Sequence, residues 1–272
     1  MKIIGIIPAR FASSRFPGKP LVDIGGKTMI QRVYEQALKA KSLCKVVVAT
    51  DDIRILTQVI AFGGEAYMTT TGHPSGTDRC FEAFQKAGGG SKFDYAINIQ
   101  GDEPFIDPEI IDQMSKLLDF KTEIATAVKK INDYDTLFDP NIVKAVLTMR
   151  KQCLYFSRQT VPFVRGFEPE TWLDHADFYK HIGLYAYRSD VLEQISHLPP
   201  SPLENTEKLE QLRWLGYGYK IYATVTEYES FGIDTPEDLA KIVLPWKYIP
   251  RKQQFTQFCV SRVQTLKIVS AN

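Results

Sequence analysis

Short apolar runs alternate with amphipathic segments along the first half of the chain. Residues 3–7 are almost wholly apolar and residues 45–50 are rich in valine, which is typical of parallel strands buried on both faces. Apolar residues recur at helical spacing over 29–38 and 53–60. Further strands are predicted at 65–68 and 95–100, with a helix around Phe81 and Phe84 that ends at glycines 88–90. This β-α order predicts an α/β fold with a doubly wound, mostly parallel sheet.

The second half is less regular. Asp107 and Pro108 predict the cap and first position of a helix through residue 118. Pro236 opens another helix, after Asp234 and Thr235 as candidate caps. Residues 165–177 are interpreted as a polar loop around Trp172, and residues 201–216 as a turn into a helix. Strands are predicted at 123–129, 143–149, 154–157, 181–187 and 220–226.

Composition and charge narrow the class of protein. The 272 residues carry 33 Lys+Arg against 32 Asp+Glu, a net charge of +1, which argues against nucleic acid as a partner because no excess of cations is available to neutralise phosphates. The four cysteines are scattered, with no paired spacing of a zinc site. No window approaches the roughly 18 apolar residues of a membrane span. We therefore expect a cytoplasmic protein with no membrane span.

A basic loop directly follows the first predicted strand. Its sequence, PARFASSRFPGK, places Arg10, Arg15 and Lys19 within ten residues, with Gly18 allowing close backbone approach. Ligands of doubly wound sheets bind beyond the carboxyl ends of the strands, and such cations suit a polyphosphate. Neither a P-loop nor a GxGxxG fingerprint is present. The alternative interpretation is a basic surface loop.

Two carboxylates are placed to meet this loop. Asp102 lies in QGDEP after the strand at 95–100, and Asp234 lies in GIDTPEDL at a second turn into a helix. Carboxylate oxygens are the ligands that Mg²⁺ prefers, usually one or two of them completed by phosphate and water. Asp234 by itself is better explained as a helix cap, whereas the pair favours a shared metal. The polar turn Ser75–Arg79 before a helix could receive an anion or a base edge.

An ordered set of motifs resembles a known enzyme family. PARFASSRFPGKPL, VVVATDD, SGTDR, NIQGDEP, LYFSR, HIGLYAYR, SPLENTEKLEQLR and GIDTPEDL are similar, in that order, to the motifs of the 3-deoxy-manno-octulosonate (KDO) cytidylyltransferases, or CMP-KDO synthetases. The resemblance covers about residues 2–244. It implies a Rossmann-like nucleotidyltransferase fold and a Mg²⁺-dependent reaction, in which the 2-hydroxyl of KDO attacks the α-phosphorus of CTP. The products are CMP-KDO, for lipopolysaccharide biosynthesis, and pyrophosphate.

The resemblance also implies roles for individual residues. Triphosphate contacts fall to Arg10, Arg15 and Lys19, of which Arg10 and Lys19 are counted as catalytic with Asp102 and Asp234. The same two aspartates are the implied metal ligands. Cytosine and ribose would face Pro8, Ala9, Ser75 and Gly76. The implied KDO-binding residues are Arg79, Gln100, Arg158, His181, Tyr185, Glu210 and Gln211.

Simpler interpretations of the sugar-side residues stay open. Either Arg79 or Arg158 could bind the sugar carboxylate as a fork. His181 and Tyr185 could be one half-buried face of a strand, and Glu210 with its neighbour could be a solvated part of a helix.

The resemblance further implies the domain organisation and a homodimer. Residues 1–246 form one nucleotidyltransferase domain, a smaller β-rich dimerisation lobe spans about 130–215, and 247–272 are a tail. Competing hypotheses are a cytidylyltransferase for another acid sugar, such as 8-amino-KDO or a sialic acid, and a catalytically silent nucleotide-binding protein. A nicotinamide oxidoreductase would require the glycine fingerprint that this chain lacks.

Overall fold

The computed structural model describes residues 1–12, 16–229 and 231–246, the last five of these by their backbone alone. The strands of this part are β1 (Ile3–Ala9), β2 (Leu43–Thr50), β3 (Ala66–Met68), β4 (Tyr95–Asn98), β5 (Ile124–Lys130), β6 (Lys144–Leu147), β7 (Cys153–Ser157), β8 (Tyr179–Arg188) and β9 (Ile221–Val225). The helices are α1 (Met29–Ala37), α2 (Ile53–Ala61), α3 (Gly76–Ala87), α4 (Pro108–Ser115), α5 (Tyr134–Phe138), α6 (Trp172–His175), α7 (Ser189–Ser196), α8 (Pro202–Glu207), α9 (Gln211–Gly216) and α10 (Pro236–Trp246).

The strands form one mixed sheet in the order β3-β2-β1-β4-β8-β5-β9. β1 pairs in parallel with β2 and β4, β2 with β3, and β5 with β9. Only β8 runs antiparallel within this order, to β4 and to β5, while the β6–β7 hairpin joins the start of β8. The predicted α/β fold with a mostly parallel sheet is confirmed.

β1 shows why its sequence is an unbroken apolar run. Ile3 and Ile7 pack into the core on one face of the sheet, whereas Ile4 and Ile6 pack into the core on the other. All four are at most 2% exposed. Because successive side chains point to opposite faces, a strand covered by helices on both faces needs apolar residues at every position.

Several predicted elements differ from the structure in the second half. The single helix predicted within 201–216 is two short helices, α8 and α9, interrupted near Lys208, whose φ of 55° is left-handed and cannot continue a helix. The loop at 165–177 contains α6, because Trp172 is buried against Leu137 and Phe178. The sequence analysis did not predict α5 or α7.

The domain boundaries remain predictions. The range 130–215 includes β8, which is a central strand of the main sheet, so this range does not form a sheet of its own. The predicted tail at 247–272 lies outside the described residues. Within the described part of the chain, no helix is both long and apolar enough to cross a membrane.

The carboxyl ends of β1 and β4 approach each other closely. Gly101 follows β4, and a Cβ added there would lie 2.6 Å from the carbonyl oxygen of Pro8. The first residue of α3, Gly76, lies against the Pro8 ring, 3.7 Å from an added Cβ. Small residues therefore bring the basic loop, the QGDEP segment and the start of α3 to one edge of the sheet.

Candidate active site

A cavity of about 260 Å³ lies at this edge, beyond the carboxyl ends of the central strands. It is lined by Pro8, Ala9, Arg10, Lys19, Pro20, His73, Pro74, Ser75, Gly76, Arg79, Gln100, Gly101, Asp102 and Asp234. The lining comes from the segments after β1, β3 and β4 and from the turn before α10. Ten of the predicted site residues are among these, so most of the candidate site is one cavity.

Lys19 joins the two aspartates from which a metal site was predicted. Its Nζ lies 2.8 Å from Oδ2 of Asp102 and 3.1 Å from Oδ1 of Asp234. Only 13% of the lysine side chain is exposed. The segments also meet through the backbone, since the Ile233 amide donates to the Asp102 carbonyl over 2.9 Å. The ammonium offsets the repulsion between the two carboxylates, which holds them on the same side of the cavity.

The donor set suits a metal that is shared with a ligand. Among the described residues, no group of three or more His, Cys, Asp or Glu side chains could hold an ion. Asp102 and Asp234 supply two hard carboxylate ligands, so phosphate oxygens and water must complete the shell, as is common for Mg²⁺.

The cations of the basic loop differ in their environment. Arg10 is exposed and has no hydrogen-bond or ion-pair partner among the described residues, so its guanidinium is open to a ligand. Arg15 lies outside the described residues. Gly18 adopts a left-handed φ of 73°, and its amide donates to the Phe11 carbonyl over 2.9 Å, which turns the chain so that Lys19 enters the cavity.

The start of α3 forms another wall. Ser75 caps the helix, because its side chain accepts from the Asp78 amide. Thr77 donates to Oε2 of Glu210 over 2.8 Å. Burial raises the pKa of Glu210, although hydrogen bonds from Thr77 and Ser75 and the charge of Arg213 favour its ionised form. Glu210, whose side chain is 26% exposed, therefore belongs to a partly buried hydrogen-bond network behind this wall and is not a fully solvated helix position.

β8 carries two of the predicted sugar-side residues beside an irregularity in the sheet. Thr126 of β5 pairs with Tyr185 and the next residue of β5 pairs with Ile182, so two residues of β8 have no partner in β5. The Thr126 hydroxyl donates to the Leu184 carbonyl over 2.8 Å and lies 3.0 Å from Nε2 of His181. The rings of His181 and Tyr185 are 5.2 Å apart.

The electrostatics of this part of β8 follow from burial. Burial lowers the pKa of His181 to about 3, which keeps its ring neutral near pH 7. It raises the pKa of Tyr185, whose buried hydroxyl has no hydrogen-bond partner in the described part of the chain. Gln100 connects the cavity to this strand by donating to the Gly183 carbonyl over 2.7 Å.

The two arginines that were predicted to bind the sugar carboxylate both use their guanidinium groups in hydrogen bonds within the protein. Arg79 lines the cavity, but its guanidinium donates to Asp51 over 2.8 Å and to Thr69 over 2.5 Å, and the residue is 4% exposed. Arg158 is outside the lining and donates to the carbonyls of Glu207 and Pro140. The described contacts of both are internal, and their role toward a sugar stays a prediction.

Four other predicted sugar-side residues are outside the cavity lining: His181, Tyr185, Glu210 and Gln211. Sequence reasoning missed His73, which lines the cavity, because an isolated histidine carries no signal by itself. It also missed Asn98 at the end of β4, whose buried Oδ1 lacks a hydrogen-bond partner among the described residues. The position of Asn98 two residues before QGDEP was the one available signal.

Comparison with known proteins agrees with the class that this fold and cavity define. Residues 4–221 match the family model described as cytidylyltransferase. Named 3-deoxy-manno-octulosonate cytidylyltransferases of Cytophaga hutchinsonii and Parabacteroides distasonis are 53% and 56% identical to this chain, each over 89% of it and 96% of the relative. The chain belongs to the 3-deoxy-manno-octulosonate cytidylyltransferase family, as the motif resemblance predicted.

Solved structures agree with this membership. A CMP:2-keto-3-deoxy-manno-octonic acid synthetase complexed with CTP superposes with a TM-score of 0.83 at 41% identity, covering 91% of this chain and 99% of that one. A cytidylyltransferase from Leptospira borgpetersenii has a TM-score of 0.61 at 19% identity and covers 97% of this chain and 93% of its own. The second likeness shows the fold alone.

Proposed function

We propose that this chain transfers the cytidylyl group of CTP to KDO, which yields CMP-KDO and pyrophosphate. The observation that carries the proposal is the ion pairing of Lys19 with both Asp102 and Asp234, in a cavity that is also lined by the exposed Arg10. Cations and paired carboxylates are what a triphosphate with its metal requires. The names of the relatives supply the two substrates.

The nucleotide is bound between the basic loop and the start of α3. Arg10, Arg15 and Lys19 bind the triphosphate and hold the pyrophosphate as it leaves. The nucleoside lies along Pro8, Ala9, Ser75 and Gly76, where the small residues and the prolines allow close approach of its ring atoms.

Asp102 and Asp234 hold Mg²⁺ in this proposal. When bound, the ion neutralises phosphate charge and makes the attacking hydroxyl more acidic. The two aspartates keep their oxygens on one side of the cavity, and Lys19 moves from them to the phosphates of the incoming nucleotide. This exchange of partners preserves charge neutrality in a partly buried site.

The sugar lies against Gln100 and the surface beyond it. His181, Tyr185, Glu210 and Gln211 bind its hydroxyl groups, and Arg158 or Arg79 turns from its internal partners to the sugar carboxylate. The 2-hydroxyl oxygen forms a bond to the α-phosphorus while the bond to the bridging oxygen of pyrophosphate breaks. Asp234 assists by accepting the hydroxyl proton. Orientation and charge neutralisation supply the catalysis.

We also propose a homodimer formed through the lobe at about 130–215, within a single domain of residues 1–246. Phe163 is 72% exposed, Phe167 47% and Phe138 43%, and Phe163 and Phe138 pack against Trp172. A cluster of exposed aromatic residues is typical of an interface. The product feeds lipopolysaccharide assembly in the cytoplasm.

An assay of pyrophosphate release tests the proposal. CTP and Mg²⁺ are combined with KDO, 8-amino-KDO or a sialic acid in separate reactions. We expect release with KDO that disappears in Asp102→Asn but persists in Asp107→Asn, a matched change at the cap of α4 outside the cavity. Release with another acid sugar alone would move the assignment to that sugar. No release from folded protein that binds CTP would indicate a silent nucleotide-binding protein.

A further inference from the structure

His73 lines the cavity between β3 and α3, and the proposed reaction gives it no role. Its Nε2 lies 2.5 Å from Oε2 of Glu82, a residue of α3. The other ring nitrogen, Nδ1, has no hydrogen-bond partner in the described part of the chain. The side chain is 19% exposed. The ring is therefore held by Glu82 through Nε2 and is partly accessible from the cavity that it lines.

Glu82 determines which nitrogen of His73 carries the proton. Burial opposes ionisation of this carboxyl, but hydrogen bonds from Lys86, the Thr70 amide and His73 lower its pKa to about 2. An ionised carboxylate can only accept hydrogen bonds, so the proton lies on Nε2 of the histidine. In the neutral ring, Nδ1 is then an acceptor.

The charges around His73 indicate which part of a nucleotide it meets. The carboxylate of Glu82 lies directly behind the ring, and the nearby guanidinium of Arg79 is paired with Asp51. Binding of a phosphate group beside His73 is therefore unfavourable, whereas Lys19 and Arg10 in the same cavity attract phosphate. Pro8 and Pro74 add apolar surface to the same cavity, which suits the face of a base.

We propose that Nδ1 of His73 accepts a hydrogen bond from the 4-amino group of cytosine and thereby selects CTP over UTP. Uracil carries a carbonyl oxygen at position 4, which would place two acceptors against each other. A site built around a hydrogen bond rejects the analogue that cannot form it, because its polar atom is left unpaired. The inference rests on the proposed binding of CTP in this cavity, and Glu82 acts in it as a positioning residue.

Equilibrium binding of nucleotides in the absence of sugar tests the inference. Dissociation constants of CTP, UTP and dCTP are measured with Mg²⁺ for the wild type, His73→Leu, His73→Asn and Glu82→Gln. His197→Asn is the matched control, since His197 lies at the end of α7 and outside the cavity.

We expect the preference for CTP over UTP to fall about tenfold or more in His73→Leu, because CTP binds more weakly while UTP binds equally or more tightly. His73→Asn keeps part of the preference, since its amide oxygen can take the place of Nδ1. Glu82→Gln lowers the preference because its amide no longer forces the proton onto Nε2. His197→Asn leaves it unchanged.

Nitrogen-15 NMR of the histidine rings adds a readout that a merely structural role would not change. We expect one ring with its proton on Nε2 whose signal is absent in His73→Leu and becomes a mixture of tautomers in Glu82→Gln. Measuring both His73→Asn and Glu82→Gln keeps the test valid if the leucine variant does not fold.

An unchanged preference for CTP in the folded variants would overturn the inference while leaving the proposed function intact. Loss of discrimination against dCTP, with the preference for CTP over UTP retained, would place His73 at the ribose and would also overturn it. Equal binding of CTP and UTP by the wild type would overturn the inference, whereas failure of the wild type to bind CTP at all would count against the proposed function itself.

Discussion

At the scale of single residues, Lys19 has the clearest consequence. It lies 83 positions from Asp102 and 215 from Asp234 in the sequence, yet its ammonium contacts both carboxylates. Such a partly buried network differs from a surface ion pair, because removing one member leaves the others uncompensated. The two carboxylates then repel each other and lose their common orientation.

Replacing Lys19 by Met keeps the aliphatic stem but removes the charge. We expect kcat/KM for pyrophosphate release to fall at least about 100-fold, since the proposed role of this ammonium is to stabilise charge on the triphosphate in the transition state. Lys27→Met is the matched control, because Lys27 pairs with Glu35 and is 43% exposed. Activity of Lys19→Met within threefold of the wild type would contradict a role for the ammonium.

At the scale of elements, the approach of β4 to β1 depends on a residue without a side chain. The carbonyl of Pro8 occupies the space where a Cβ of Gly101 would lie. Pro8 and Asp102 line the cavity on either side of this contact. The close contact of Gly101 with the Pro8 carbonyl is therefore expected to affect both the stability of the fold and the position of Asp102 in the cavity.

Gly101→Ala tests this contact. We expect the free energy of unfolding to fall by about 1–3 kcal/mol through overpacking, with a loss of activity as Asp102 is displaced. Denaturant unfolding and pyrophosphate release measure the two effects. Gly90→Ala is the control, because an added Cβ there meets its nearest neighbour at an ordinary 3.5 Å. An equally stable and active Gly101→Ala protein would show that the backbone tolerates the shift.

A second contact between elements depends on pH. Asp112 of α4 accepts hydrogen bonds from the amides of Lys41 and Ser42 before β2. Burial opposes its ionisation, but hydrogen bonds from Ser42 and Lys41 lower its pKa overall. A carboxyl with a lowered pKa stabilises the fold at pH values above its unfolded pKa of about 3.9, and this stabilisation is lost as the pH falls through the lowered value.

We therefore expect Asp112→Asn to be less stable than the wild type by about 1 kcal/mol at pH 7. The difference should shrink as the pH falls below about 4. Urea unfolding from pH 7 to pH 2 measures it. A difference that stays constant across this range would show that the ionised carboxylate is not the stabilising form.

At the scale of the whole molecule, the exposed aromatic cluster around Trp172 bears on assembly. Phe163 is its most exposed member, at 72%, and contacts the buried Trp172 ring edge to face. A single exposed phenylalanine is common on protein surfaces. Several exposed phenylalanines around one tryptophan form an apolar patch, and such patches often mark an interface.

We expect Phe163→Asp to weaken self-association at least tenfold, because a charge cannot be buried in an apolar interface without a partner. Sedimentation velocity over a concentration series measures this. Ile53→Asp is the control, since Ile53 is 62% exposed at the start of α2, outside the lobe. Unchanged self-association of Phe163→Asp would place the interface elsewhere.

Residue types and their spacing were enough to predict most local elements of the first half and to select the candidate residues of the site. The apolar run in β1, the cap at Asp107 and the cations after β1 follow from residue types and their spacing, because burial on two faces and unpaired helix amides are local requirements. Motif order was sufficient to identify the family. Arg10, Lys19, Asp102 and Asp234 could all be selected before any fold was known.

Which side chains come into contact could not be predicted before the packing of the elements was known. An apolar run does not encode the direction of a strand, so antiparallel β8 could not be distinguished from a parallel strand. The pairing of Arg79 with Asp51 and of His73 with Glu82 depends on how β3 and α3 pack together. Hydrophobic periodicity shows which face of an element is buried, whereas hydrogen-bond partners depend on the crossovers that bring distant segments to the same sheet edge.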